Sequence, residues 1–268
     1  QPSELLSTTT KTNVSCYGGN NGTITANPSG GTAPYFYLWS DGQTTQTATG
    51  LSSGIYTCII TDANGCIKNK TVTITQPSTT LTASISQTNV SCFGGSDGSA
   101  TANPSGGTAP YTYLWSDGQT TQTANGLSGS TYSCIIADVN GCVFVINSIV
   151  IPEPLALSVN SSSTPVSCFG GSDGSVTLTI SGGTPNYSIN FLTYSLTLPN
   201  ILTTPMVITA GSYSYTITDA QGCILIDNVS VLEPISDLIG SISQTNVSCF
   251  GGSDGSATAN PSGGTAPY

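Results

Sequence analysis

The sequence predicts an all-β chain of tandem antiparallel β-sandwich domains, arranged as beads on a string. Three observations carry that prediction. First, a stretch of the form VSC-[FY]-GG recurs at Val14, Val90, Val166 and Val247, placing cysteines at 16, 92, 168 and 249 with spacings of 76, 76 and 81 residues. Second, short apolar/polar alternations are separated by Gly, Asn and Asp turn chemistry, and no segment has helical periodicity. Third, Thr, Ser, Val, Ile and Tyr dominate while strong helix formers are scarce.

A repeat of this length exceeds the roughly 20–45 residues of a solenoid unit, which cannot bury a core alone. It matches a small independent domain, for which burial on folding is only about 60%. The expected boundaries are 1–77, 78–154, a divergent third repeat at 155–234, and the N-terminal part of a fourth at 235–268. Gln76-Pro77, Glu153-Pro154 and Glu233-Pro234 close the three repeats, so Gln1-Pro2 reads as the tail of an earlier one, with both ends cut from a longer array.

The second repeat shows the elements in order. Leu81 to Ile85 alternates as a half-buried strand, and Gly94-Gly95 and Asp97-Gly98 turn the chain. Ser99 to Asn103 is a short strand ended by Pro104 and Gly106-Gly107. Pro110 to Trp115 follows, and Asp117-Gly118 signals a hairpin. A Thr-rich segment reaches Leu127; Tyr132 to Ile136 alternates again; Asp138 to Gly141 turns; Val143 to Ile151 is the last strand. About seven strands are expected per repeat, forming a two-sheet sandwich.

Comparing the copies assigns the inner face. Tyr35, Tyr37 and Trp39 correspond to Tyr111, Tyr113 and Trp115, and to Tyr187, Ile189 and Phe191 in the third repeat. Tyr56/Cys58/Ile60, Tyr132/Cys134/Ile136 and Tyr213/Tyr215/Ile217 behave alike. Large apolar groups persist there while size varies, as an inner sheet face requires. Both sets are expected in the core.

The third repeat has two cysteines where the first two have three. It keeps the VSC cysteine and the one after the Gly turn, and carries Tyr215 at the remaining position. The pairing consistent with that pattern is Cys16–Cys66, Cys92–Cys142 and Cys168–Cys223, with Cys249 left for a residue beyond the sequence. Such bridges imply an oxidising, extracytoplasmic compartment. Closing about 50 residues contributes roughly 4 kcal/mol in the chain-entropy model. Cys58 and Cys134 sit at inward positions and are expected as buried free thiols.

Charge and composition exclude several classes. There are 13 acidic residues, 3 basic ones and no histidine, for a net charge of −10. Lys11, Lys68 and Lys70 cannot make the basic stripe that nucleic acid requires. No run of 18 apolar residues is present, so no membrane-inserted helix is expected. Without His, nucleophilic triads lack their usual base, and no four Cys or His ligands fall at the short spacings zinc takes. The aspartates recur in turns, where their side chains bond nearby amides. Asp62-Ala63-Asn64-Gly65 as a calcium site offers one carboxylate and one amide, against the six to eight oxygens Ca²⁺ takes. No catalytic residue, metal or cofactor is expected, and the chain is not expected to be an enzyme. Phe36 lies in the outward phase, but its counterpart is Thr112, which argues against a repeated sugar platform. Asn-X-Ser/Thr sequons recur, as at Asn13, Asn89 and Asn246.

The pattern VSC-[FY]-GG-S-DG-S, then SGGT-x-PY-x-Y-x-W-S-DG, then TDANGC and EP, resembles the SprB repeat of Bacteroidota cell-surface proteins. The Tyr-Leu-Trp-Ser-Asp-Gly segment is also similar to PKD and immunoglobulin-like (Ig-like) sandwiches. The resemblance implies a long secreted tandem-repeat adhesin at the cell surface, serving gliding motility or attachment and exported by type IX secretion. The third repeat departs from the pattern: it lacks Trp and WSDG and inserts Phe191 to Met206.

The leading functional expectation is a stiff extracellular stalk or filament segment, each repeat roughly 35–40 Å long at ~3.3 Å per strand residue. Its first partners are adjacent repeats of the same chain. Surface polysaccharide and other filament or motility proteins are the further candidates. The alternatives are a polysaccharide-binding module and a self-assembling fibre. Ser84 to Tyr111 and Ser241 to Tyr268 are identical, so strand exchange between chains is chemically feasible.

Overall fold

The computed structural model describes residues 3–191, 194–198 and 206–268. Gln1-Pro2 and most of the Phe191 to Met206 insertion lie outside them. Among the described residues, every regular element is a β-strand.

The first repeat contains β1 (Leu6–Thr12), β2 (Gly22–Ser29), β3 (Phe36–Trp39), β4 (Thr47–Leu51), β5 (Gly54–Thr61) and β6 (Ile67–Ile74). They form two three-stranded antiparallel sheets, β1-β2-β4 and β3-β5-β6. The second repeat reproduces this with β7 (Thr82–Thr88), β8 (Gly98–Ser105), β9 (Tyr111–Trp115), β10 (Thr123–Leu127), β11 (Ser130–Asp138) and β12 (Val143–Ile151), in sheets β7-β8-β10 and β9-β11-β12.

Each of these repeats therefore has six strands, not about seven. The Asp-Gly turn after Trp39 and Trp115 is also not a hairpin. Strand β9 pairs with β11, and β10 pairs with β8 in the opposite sheet. The turn carries the chain from one sheet to the other. Its residues are tied by a local network: the Gln119 amide donates to Asp117 Oδ2 at 2.6 Å and to the Asn125 carbonyl at 2.9 Å.

The core lies between the two sheets. In the first repeat Ile24, Ala26, Trp39, Leu51, Cys58, Ile60 and Ile74 are buried together, with Tyr35, Tyr37 and Tyr56 half-buried against them. Trp39 and Trp115 are fully buried, and Tyr111 and Tyr113 are half-buried. Each indole nitrogen donates at 2.8 Å, to the Thr45 and Thr121 carbonyls respectively, which satisfies the polar end of an otherwise apolar side chain. Cys58 and Cys134 are buried, free thiols.

The third repeat contains β13 (Ser158–Thr164), β14 (Gly174–Ser181), β15 (Tyr187–Phe191), β16 (Tyr194–Leu198), β17 (Met206–Ile208), β18 (Gly211–Thr218) and β19 (Ile224–Val231). Its second sheet gains a strand, in the order β16-β15-β18-β19. Here Phe191 and Tyr215 stand where the other repeats have Trp and Cys. Their rings meet at 5.4 Å, both buried. A large-plus-small pair has been exchanged for two rings of middle size within the same core. The last strands, β20 (Ile239–Thr245) and β21 (Ser256–Ser262), pair in a two-stranded ribbon.

By contact density the chain forms two compact units: Gln1–Asn89 with Ser96–Pro152, and Val90–Gly95 with Glu153–Tyr268. The VSC stretch of the second repeat belongs to the unit that contains the third, for the covalent reason given next.

Candidate functional site

The disulfides join successive repeats. Cys16 is bonded to Cys142 with a Cα–Cα distance of 5.7 Å, and Cys92 to Cys223 at 5.6 Å. The expected pairs Cys16–Cys66, Cys92–Cys142 and Cys168–Cys223 are not formed. Cys66 and Cys168 carry free, exposed thiols, as does Cys249.

Strand direction explains the correction. The VSC stretch follows the first strand of its repeat, so it lies at the far pole, where the chain leaves. The Asn-Gly-Cys turn follows the fifth strand. Because β4 pairs antiparallel with β2 and β3 pairs antiparallel with β5, β3 and β4 both run toward the far pole, and β5 brings the turn back to the near one. Two contacts mark the near pole: Gly31 N donates to the Ser3 carbonyl at 2.9 Å, and Ala63 N to Thr32 at 2.8 Å. The far pole is marked by Gly18 N donating to Gln76 Oε1 at 2.9 Å. A strand of seven or eight residues spans about 25 Å. Disulfide geometry allows a Cα separation of only about 4.4–6.8 Å. Within one repeat the two cysteines cannot meet.

The donor side of the clasp is the VSC loop. Val14 is buried, and its N–H donates to Thr75 at 3.0 Å; Val166 does the same to Leu232 at 3.0 Å. The following serine closes the loop from inside. Ser15 N donates to Asn21 Oδ1 at 3.0 Å, and Ser167 N to Asp173 Oδ1 at 2.9 Å. The Ser167 hydroxyl also donates to Asp173 Oδ2. These bonds favour the ionised carboxylate and lower the pKa of Asp173, as Ser248 does for Asp254. The closing residue of the repeat adds a further tie: Glu153 accepts from Gly94 N at 2.8 Å and Glu233 from Gly170 N at 3.0 Å. With valine anchored inward and serine holding the turn, the cysteine is presented outward.

The acceptor side is the Asp-x-x-Gly-Cys turn. Asp62 is buried, and both its carboxylate oxygens accept from backbone amides: Oδ1 from Asn64 at 2.9 Å and Cys66 at 2.8 Å, Oδ2 from Thr32 at 2.9 Å. Asp138 and Asp219 repeat the arrangement with Asn140, Cys142 and Thr108, and with Gln221, Cys223 and Thr184. The amide of Cys66 is the leading cause of a lowered Asp62 pKa. These carboxylates bind N–H dipoles already aimed at them, and the Asn64 side chain donates to Thr32 Oγ1 at 2.8 Å. Their oxygens serve the turn.

The SGGT motif fits the same turn. Gly31 has φ +61°, and a Cβ there would lie 2.8 Å from Asp62 Oδ2; Gly107 repeats this against Asp138 at 2.8 Å. The PY tyrosine secures the other side: Tyr35 donates to the Gly30 carbonyl at 2.6 Å, Tyr111 to Gly106 at 2.7 Å and Tyr187 to Gly182 at 2.7 Å. This tyrosine-to-glycine tie was not foreseen from the sequence, although the fixed five-residue spacing is present there.

Docking is local. Around the first bond, Cys16 and Tyr17 meet a cleft formed by Leu81, Gly107, Cys142 and Val143. Around the second, Cys92 and Phe93 meet Leu157, Gly183, Cys223 and Ile224. Among the described residues no group of three or more His, Cys, Asp or Glu is placed to hold a metal.

The fold and the clasp define a tandem β-sandwich protein whose repeats are cross-linked to their neighbours. The SprB repeat family model matches residues 8–44, 84–120, 160–192 and 241–268, half of the chain, and the chain belongs to that family. No curated protein matches it significantly. Among solved structures it is similar to extracellular domains 3–5 of Drosophila OTK, at 12% identity and TM-score 0.29, covering 80% of this chain and 92% of that one. It is also similar to a tetra-tandem repeat from the extending region of a large adhesion protein (13% identity, TM-score 0.24, 96% and 88% coverage). Domains 7, 8 and 9 of the S-layer protein SbsC match at 9% identity and TM-score 0.25, over 85% and 97%. Scores this low carry no argument about what the chain does.

Proposed function

We propose that this chain is a tension-bearing segment of an extracellular repeat adhesin, a stalk or filament that supports surface attachment or gliding. The observation that supports this reading most is the pairing of Cys16 and of Cys92 with a cysteine of the following repeat. A disulfide inside one domain stabilises that domain. A disulfide between domains limits how far the chain can be drawn out, a property that only a loaded array uses. Stable bridges also favour an extracytoplasmic setting. Membership of the SprB family favours a cell surface, and the Bacteroidota and type IX export readings rest on that membership alone. The role needs no catalytic group and no cofactor.

Single-molecule stretching tests it. The Cys92→Ser variant retains only the Cys16–Cys142 bridge, which spans 126 residues. Pulled from its termini, this variant should gain about 400 Å of extension on reduction, at roughly 3.3–3.6 Å per residue. Equal lengths before and after reduction would refute the reading. A glycan array with the intact chain should show no binding, since the exposed aromatic of β3 is not repeated: Phe36 and Thr112 occupy the same position.

A further inference from the structure

The near pole of the first repeat carries the same cleft as the second and third. Leu5, Gly31, Cys66 and Ile67 line it. They correspond to Leu81, Gly107, Cys142 and Val143, which receive Cys16 and Tyr17, and to Leu157, Gly183, Cys223 and Ile224, which receive Cys92 and Phe93. Every device that shapes the occupied clefts is also present here. Asp62 clamps the turn through the Thr32, Asn64 and Cys66 amides, Gly31 approaches Asp62 at positive φ, and Tyr35 ties Gly30. The Cys66 thiol is free and exposed, whereas Cys142 and Cys223 are bonded. The rim differs. Lys68 and Glu4 form an ion pair at 3.5 Å where the second repeat has Phe144 and Thr80.

The geometry points to this cleft as a receptor for the Val-Ser-Cys-(Phe/Tyr)-Gly-Gly loop of a separate SprB repeat, captured covalently at Cys66. The occupant is identified by what is bonded at the edge of the two equivalent clefts of the same chain. In both, a VSC loop brings its sulfur to the turn cysteine and its next aromatic residue to the cleft wall. The bond forms by exchange. The Cys66 thiolate attacks the loop sulfur of a loop–glutathione mixed disulfide, the loop–glutathione S–S bond breaks, and glutathione leaves as the thiolate and takes up the proton. No outside oxidant is consumed. This inference rests on the inter-repeat pairing and is independent of whether the array bears tension.

The test uses the full chain and a synthetic peptide of residues 88–98, TNVSCFGGSDG, supplied as its glutathione mixed disulfide in a glutathione buffer. Cys66, Cys168 and Cys249 are all exposed thiols, so the last two serve as internal controls for nonspecific exchange. At equilibrium, mass spectrometry of non-reduced peptides should find the loop on Cys66 at least tenfold more often than on either control. A scrambled peptide should lose that preference, and Cys66→Ser should leave only background labelling. Equal labelling of the three thiols, or equal labelling by the scrambled peptide, would overturn the assignment. Because the readout is site preference without load, its failure would leave the stretching result untouched.

Discussion

Cys16 and Cys142 are separated by 126 residues along the chain, yet their Cα atoms lie 5.7 Å apart. The second bridge opens at Cys92, inside the span of the first, and closes at Cys223, outside it. The two closures interlock along the sequence, and each begins in a loop of one repeat and ends in a turn of the next.

Removing the turn aspartate should be costly. In Asp138→Ala the amides of Thr108, Asn140 and Cys142 lose their acceptor. Stranded buried donors of this kind cost about 1–3 kcal/mol each when water cannot reach them. A net loss of about 2–4 kcal/mol is expected in denaturant unfolding, and Asp138→Asn should recover part of it. An unchanged midpoint would show that the clamp is dispensable.

Acid should loosen the same turn in the first repeat. Hydrogen bonds led by the Cys66 amide hold Asp62 below its ordinary pKa. A depressed carboxylate contributes stability that is fully present above its unfolded pKa of about 3.9 and is lost as pH falls through the folded value. The pH dependence of stability below about pH 4 should flatten in Asp62→Asn relative to the parent chain.

The tyrosine tie is separable from the core. Tyr111→Phe keeps the ring and removes only the 2.7 Å bond to Gly106. One net hydrogen bond is worth about 1 kcal/mol. Thermal unfolding should shift by that amount. A loss of several kcal/mol would mean that the hydroxyl does more than hold the glycine turn.

Thiol reactivity should divide into two groups. Burial raises the Cys58 pKa to about 11, and Cys134 is raised for the same reason. An acid group raised in the folded state adds stability that is fully present below its unfolded pKa, near 8.5, and is lost as pH climbs through the folded value. At pH 8, a thiol reagent should modify Cys66, Cys168 and Cys249 quickly, and Cys58 and Cys134 only after unfolding. Fast labelling of Cys58 would contradict its burial.

Much of the sandwich was legible in the sequence because strand alternation and Gly turns are local signals. The inward phase of Trp39, Trp115, Cys58 and Cys134 follows from period two alone. The pairing of cysteines was not legible in the same way. In a periodic chain the VSC and Asn-Gly-Cys positions recur together, so spacing cannot distinguish a partner in the same repeat from one in the next. Following strand direction would have decided it: β3 and β4 run the same way, because the chain changes sheet after Trp39 without reversing, so β1 ends with Cys16 at the far pole and β5 ends with Cys66 at the near one. The Asp-Gly turn, misread as a hairpin, hid that missing reversal. Gly106-Gly107 was likewise read only as the end of a strand, when the missing side chain of Gly107 also makes room for Asp138, three strands further along the chain.

The overlap of the two bridges also bears on damage. If a protease cuts the backbone once at any bond from 93 to 141, both resulting pieces stay tethered by two cross-links, and a cut at 17–91 or 143–222 leaves one. Throughout that stretch, a single nick cannot shed the distal part of the array. A surface structure exposed to foreign hydrolases would fail only after several independent breaks, much as a ladder-stitched seam survives a cut thread.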